Sequence, residues 1–202
     1  MDPLGRRQLL HRKVNAMKTF VEIGCADFDT LLPLAARGWR GFFVEPIKRH
    51  CDSLREQARR VGIPEERIEI AELAISDFNG GLTMVESVGE GWASGISHVM
   101  GEGRASGLLD HPLNAQFRGR LIPTPCLTLD RFISDRDIGK VDFLKIDVEG
   151  HELAILSSYS WRVKPDLIKL GHKHCDLDAI KRILGGQGYL TYTEQDNIYA
   201  IL

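Results

Sequence analysis

The segment LKIDVEGHE packs Lys145, Asp147, Glu149, His151 and Glu152 into eight residues. Its apolar lead-in has the composition of a strand buried on both faces. Period two along such a strand sets Lys145, Asp147 and Glu149 on one face. Three charges on a buried face survive only when paired or used, because unpaired burial costs several kcal/mol. Acid–base chemistry is therefore expected of this cluster, the alternative being that Glu149 and Glu152 cap the next helix through its dipole. Further on, Gly171-His172-Lys173-His174 follows another apolar run, where a histidine serves as a base, a metal ligand or a surface residue. Asp147, Glu149 and these histidines carry the oxygen and nitrogen donors of a hard-metal site, yet no spacing among them is diagnostic of one. A metal-free site is favoured, with a divalent ion as the alternative.

A second group of residues has the character of a nucleotide site. EIGCADFDT follows the first apolar run and opens a helix, where backbone N–H groups meet a ligand. It holds Gly24 where a dinucleotide fingerprint would hold three glycines, so a tight turn with Gly24 at positive φ is the competing explanation. Glu45 ends the second run about 20 residues later, the spacing at which a carboxylate accepts hydrogen bonds from both ribose hydroxyls. Ser76 and Asp77 end the third run, in reach of an adenine edge or as a turn into Asn79-Gly80-Gly81. In GWASGISHV, Trp92, Ser94, Ser97 and His98 bring an aromatic face beside hydroxyls, which suits a polyol or sugar; Trp92 serves equally well as a loop anchor.

The elements that position these residues follow from hydrophobic periodicity. Strands are expected over 19–23, 41–45, 67–75, 141–148 and 166–170, with a final hairpin over 189–193 and 198–202. Helices are expected over 31–37, opened by Asp29 or Thr30 with Pro33 in the first turn, and along Ile47, Cys51, Leu54, Ala58 and Val61. Two more are marked by Leu153, Leu156 and Ser160 and by Leu177, Ile180, Ile183 and Leu184. Regular βα alternation implies an α/β fold, a mostly parallel sheet with helices on both faces and ligands at the carboxyl ends of the strands. The Gly-, Ser- and Pro-rich stretch 80–125 reads as a lid or substrate loop, and 1–18 as an N-terminal helical segment of a single domain.

With 202 residues, 26 Lys plus Arg and 28 Asp plus Glu, the net charge is −2. This balance gives no excess of basic groups for nucleic acid or anionic membrane. No signal-peptide core or run of 18 apolar residues occurs, so a cytoplasmic location is expected. Cys25, Cys51, Cys126 and Cys175 are scattered, as expected of reduced thiols. Oligomeric state leaves no mark on the sequence.

FVEIGCADFDT, FFVEP, AISDFNG, CLTLDRF, VDFLKIDVEGHELAIL, HKH, GYLTY and DNIYAI, in this order, resemble the FkbM family of methyltransferases from about Thr19 to the C-terminus. KIDVEGHE is the most specific piece. The resemblance implies a Rossmann-like methyltransferase fold, S-adenosylmethionine as methyl donor and transfer to a hydroxyl of a small molecule or sugar. Glu22 and Gly24 then border the methionine part, Glu45 the ribose, and Ser76 with Asp77 the adenine. Cys25, Ala26 and Pro46 count among the donor-binding residues. Lys145, Asp147, Glu149 and His172 face the reacting methyl group or the acceptor, with His172 or Asp147 as base, and Trp92 and Ser94 lie on the acceptor side. Two positions depart from the family pattern. Asp27 and Phe28 stand where a second loop glycine is common, and Gly171 where an acidic residue often precedes the first histidine. An NAD-dependent oxidoreductase and a non-catalytic nucleoside-binding domain are the rival readings.

Overall fold

The computed structural model describes residues 17–26, 28–87, 98–100 and 119–202. The segment expected to be an N-terminal helix lies almost wholly outside the described residues, as do Trp92, Ser94 and Ser97.

The β-branched and aromatic run TFVEI forms β1 (Thr19–Ile23), and α1 (Leu32–Ala36) begins with Pro33 in its first turn, where the missing N–H is harmless. Then come β2 (Arg40–Val44), α2 (Lys48–Arg60), a single 3-10 turn (Glu65–Arg67) and β3 (Ile68–Ala71). Beyond them lie β4 (Ala74–Ile75), β5 (Gly80–Ser87), β6 (His98–Met100), β7 (Gly119–Leu127) and α3 (Leu129–Asp135). The last third alternates β8 (Phe143–Ile146), α4 (Glu152–Ser158), β9 (Leu167–Gly171) and α5 (Leu177–Gly186), and closes with β10 (Leu190–Glu194) and β11 (Asn197–Ile201).

Seven strands form one sheet in the order β10-β11-β9-β8-β1-β2-β3. β3, β2, β1, β8 and β9 are parallel, and β11 runs antiparallel to both β9 and β10. This is the expected mostly parallel sheet with its terminal hairpin. The order reverses between β1 and β8, so the connections that leave their carboxyl ends turn to opposite faces of the sheet and leave a crevice between them. Alternate residues send core to both faces. On one face Val21, Ile23, Phe42, Val44, Leu144, Ile146, Ile168 and Leu170 pack with Phe132 of α3, Leu156 of α4 and Ile180 of α5. On the other, Phe20 and Phe43 meet edge to face at 5.2 Å and are covered by Leu32 and Ala35 of α1 and Leu54 and Ala58 of α2. Each of these Val, Leu, Ile and Phe side chains, fully buried, contributes about 1.5–3 kcal/mol. Val61, expected on the same face of α2, is instead its exposed C-cap.

Three expectations are corrected. The third strand does not run unbroken over 67–75: β3 stops at Ala71 and the chain crosses to β4, which pairs with β7. The stretch 80–125 is not a loop throughout, because β5 and β7 form a long antiparallel ribbon from Gly80↔Cys126 to Ser87↔Gly119 within a second sheet ordered β4-β7-β5-β6. Gly80, Gly81, Pro123 and Pro125 hid it. The two prolines lie two residues apart, so their missing N–H groups face one edge of β7, while β4 covers only Cys126 and Leu127. Finally, β8 ends at Ile146, so Asp147 and Glu149 lie beyond the strand.

Candidate active site

A cleft opens where β1, β2 and β8 end, bordered by Gly24, Ala26, Glu45, Asp147, Glu149 and His151 and walled by Leu73, Ile75 and Met84. Its floor depends on Gly24. There φ is +75°, and a Cβ would lie 1.9 Å from the Asp147 carbonyl oxygen, so only glycine lets the ends of β1 and β8 approach this closely.

The loop that follows has no second glycine, yet Ala26 and Asp29 adopt φ of 44° and 51°. Three buried charged side chains hold it there. Glu45 accepts hydrogen bonds from Ala26 N–H at 2.8 Å and from Ile47 N–H at 2.9 Å. Glu22 accepts the Leu31 N–H at 2.8 Å, and the Thr30 hydroxyl accepts the Leu32 N–H at 3.4 Å, so Thr30 shares with Glu22 the capping expected of Asp29 or Thr30. Lys145 reaches Glu22 at 3.0 Å and donates to the Asp29 carbonyl, and the Asp29 carboxylate lies 3.5 Å from Lys145 and 3.4 Å from Lys169. Burial lifts the Glu22 carboxyl while Lys145 pulls against it. Burial opposes the Lys145 ammonium, and Glu22 and Asp29 more than restore it. Lys145 thus anchors the loop. Cys25 is turned into the core, and burial raises its thiol well above the ordinary range, so it offers the cleft no nucleophile.

After β8 the chain reverses at Glu149 (φ 53°) and Gly150 (φ 106°). Buried Glu152 fixes this turn by accepting the Val148 and Gly150 N–H groups, each at 2.9 Å, and the Cys175 thiol at 3.0 Å. Asp147 and Glu149 consequently both border the cleft. Burial pushes the Glu149 carboxyl up to about 7, with the charges of Asp147 and Glu152 adding to it. His174 stands 3.4 Å away. Gly171 now has a physical reason: a Cβ there would lie 3.0 Å from Asp147 Oδ1, so Asp147 occupies the room a side chain would need.

His172 does not join this group. Its ring Nε2 lies 3.1 Å from the Gln195 carbonyl and its backbone N–H donates to the Asp196 carbonyl, so it braces the β10–β11 turn. Ser76 is fully buried and spends its hydroxyl on Asp77 (3.2 Å) and His151 Nε2 (3.0 Å). His151 lines the cleft although sequence reasoning gave it no role of its own; its place in the charged cluster was visible, its partner across 75 residues was not. Met84 was hidden with its ribbon. Among the described residues no three of His, Cys, Asp and Glu converge to hold a metal, and no helix is long and apolar enough to cross a membrane.

Strand order and cleft together define a Rossmann-like methyltransferase fold. Residues 16–191 match the methyltransferase FkbM domain, and the chain belongs to that family. Among solved structures it is similar to methyltransferase FkbM from Methylobacillus flagellatus KT, at 17% identity and a TM-score of 0.58, over 92% of this chain and 44% of that one. This chain therefore spans less than half the length of that protein. It is also similar to magnesium protoporphyrin IX methyltransferase (ChlM) from Synechocystis PCC 6803 with bound SAM, at 13% identity and a TM-score of 0.48, over 92% and 69% of the two chains. No curated protein matches it.

Proposed function

We propose that the cleft binds S-adenosylmethionine and that the chain transfers its methyl group to a hydroxyl of a small molecule or sugar. The observation that carries this reading is Glu45: at the end of β2, its carboxylate is bonded to the backbone of the loop after β1, which ties the acid that would take the ribose hydroxyls to the loop that would border the methionine part. The lining fits such a donor. Leu73, Ile75 and Met84 offer apolar walls to a flat base, and the small residues Gly24 and Ala26 allow close approach.

The bound sulfonium supplies an already activated methyl group. The chain's task is alignment, worth about 7–11 kcal/mol at its best, and acceptance of one hydroxyl proton. Glu149 is the base in this reading: burial and the neighbouring carboxylates push its carboxyl up to about 7, which gives it the basicity to take a proton near neutrality. Asp147 keeps a negative field beside it, and Glu152 fixes the direction of both. Lys145 acts at a distance by holding the donor loop through Glu22 and Asp29.

The test is formation of S-adenosylhomocysteine from S-adenosylmethionine with a panel of hydroxylated acceptors. Acceptor-dependent release in the wild type, lost in Glu149→Gln, supports the reading. Transfer to amines or carbon acids but to no alcohol overturns the hydroxyl assignment.

A further inference from the structure

Ser76, Asp77 and His151 form a chain of hydrogen bonds with only one consistent arrangement of protons. The Asp77 carboxylate offers acceptors alone, so the Ser76 hydroxyl donates to it across 3.2 Å. The Ser76 oxygen is then the acceptor for His151, 3.0 Å away, and Nε2 must carry the proton. Burial holds this imidazole below its ordinary range, which favours the neutral ring. A neutral ring protonated on Nε2 bears a lone pair on Nδ1. That nitrogen is buried, in a residue only 7% exposed, and has no hydrogen-bond partner among the described residues. A buried acceptor left unsatisfied is costly and calls for an explanation. The same ring lines the cleft beside Ile75 and Met84.

We propose that His151, rather than Ser76 or Asp77, reads the base of the donor, its Nδ1 accepting a hydrogen bond from the 6-amino group of adenine. This rests on the donor reading above. Ser76 and Asp77 act through His151: they hold the proton on Nε2, so the cleft sees an acceptor. A base with a 6-oxo group would set oxygen against the Nδ1 lone pair. Releasing the relay would free the imidazole to turn its proton round and accommodate either base.

The experiment is calorimetric titration of the full chain with S-adenosylhomocysteine and with S-inosylhomocysteine, which differs by a 6-oxo group. The wild type should prefer the amino ligand by about ten- to hundredfold. His151→Phe, which keeps the ring's bulk, and Ser76→Ala, which leaves His151 in place, should each bring the two ligands within a few fold. Should the variants misfold, the wild type still decides: the unprotonated imidazole nitrogen of His151, followed by nitrogen NMR, should move upfield on saturation with S-adenosylhomocysteine. An unmoved nitrogen signal, or an undiminished preference in folded His151→Phe, overturns the assignment. Absence of any S-adenosylhomocysteine binding by the wild type overturns the donor reading itself.

Discussion

Glu22 and Lys145 are register partners on β1 and β8, and their side chains meet at 3.0 Å in the interior, 0% and 4% exposed. The pair reaches outward from there: Glu22 caps the backbone at Leu31 and Lys145 holds the Asp29 carbonyl, so a buried ion pair sets the shape of the donor loop. Lys145→Met leaves Glu22 charged and unpaired, which should cost roughly 3–5 kcal/mol in denaturant unfolding. Adding Glu22→Gln should recover most of that stability but not donor affinity, because the loop loses its anchors. A single variant as stable as the wild type would contradict this.

Gly24→Ala should be among the most damaging small substitutions. It puts a side chain at φ +75° and a Cβ 1.9 Å from the Asp147 carbonyl oxygen. We expect a loss of at least about 2 kcal/mol in thermal unfolding, together with weakened S-adenosylhomocysteine binding, since the ends of β1 and β8 must part.

Glu149 links activity to stability. Its carboxyl rises from 4.5 to about 7 on folding, so between those pH values the folded chain holds a proton the unfolded chain has released. Stability therefore falls as pH rises through that window. Glu149→Gln should raise stability by roughly 1–2 kcal/mol at pH 8 and change little at pH 4, measured by denaturant titration. The wild-type rate should climb with pH through about 7, and that of the variant should be flat and on the order of 100-fold lower.

His172→Ala should leave donor affinity and turnover within a few fold and cost about 1 kcal/mol, the worth of its bond to the Gln195 carbonyl. A large fall in turnover at unchanged stability would bring His172 back into the chemistry.

The sheet was legible because its strands are short apolar runs separated by periodic helices. Glu45 was legible because a strand-end acid about 20 residues beyond a strand-end glycine is a local pattern. The β5–β7 ribbon was not, since Gly80, Gly81, Pro123 and Pro125 carry turn chemistry and the pairing spans tens of residues. Lys145 was singled out correctly as a charge on a buried strand, but the partner that occupies it, Glu22, lies 123 residues away. The same long range concealed the Ser76–His151 contact. The contact of His172 with the Gln195 carbonyl was not legible, because strand ends near a cleft look alike in sequence and a neighbouring hairpin turn decides where the ring goes.

The central claim, that the cleft at the ends of β1, β2 and β8 is a methyl-donor site, is tested most directly by calorimetric titration of wild type and Glu45→Ala with S-adenosylhomocysteine and, in parallel, NAD. The account predicts micromolar binding of S-adenosylhomocysteine, at least about tenfold weaker in Glu45→Ala, with no heat from NAD. Binding of NAD in place of S-adenosylhomocysteine, or of neither, would contradict it.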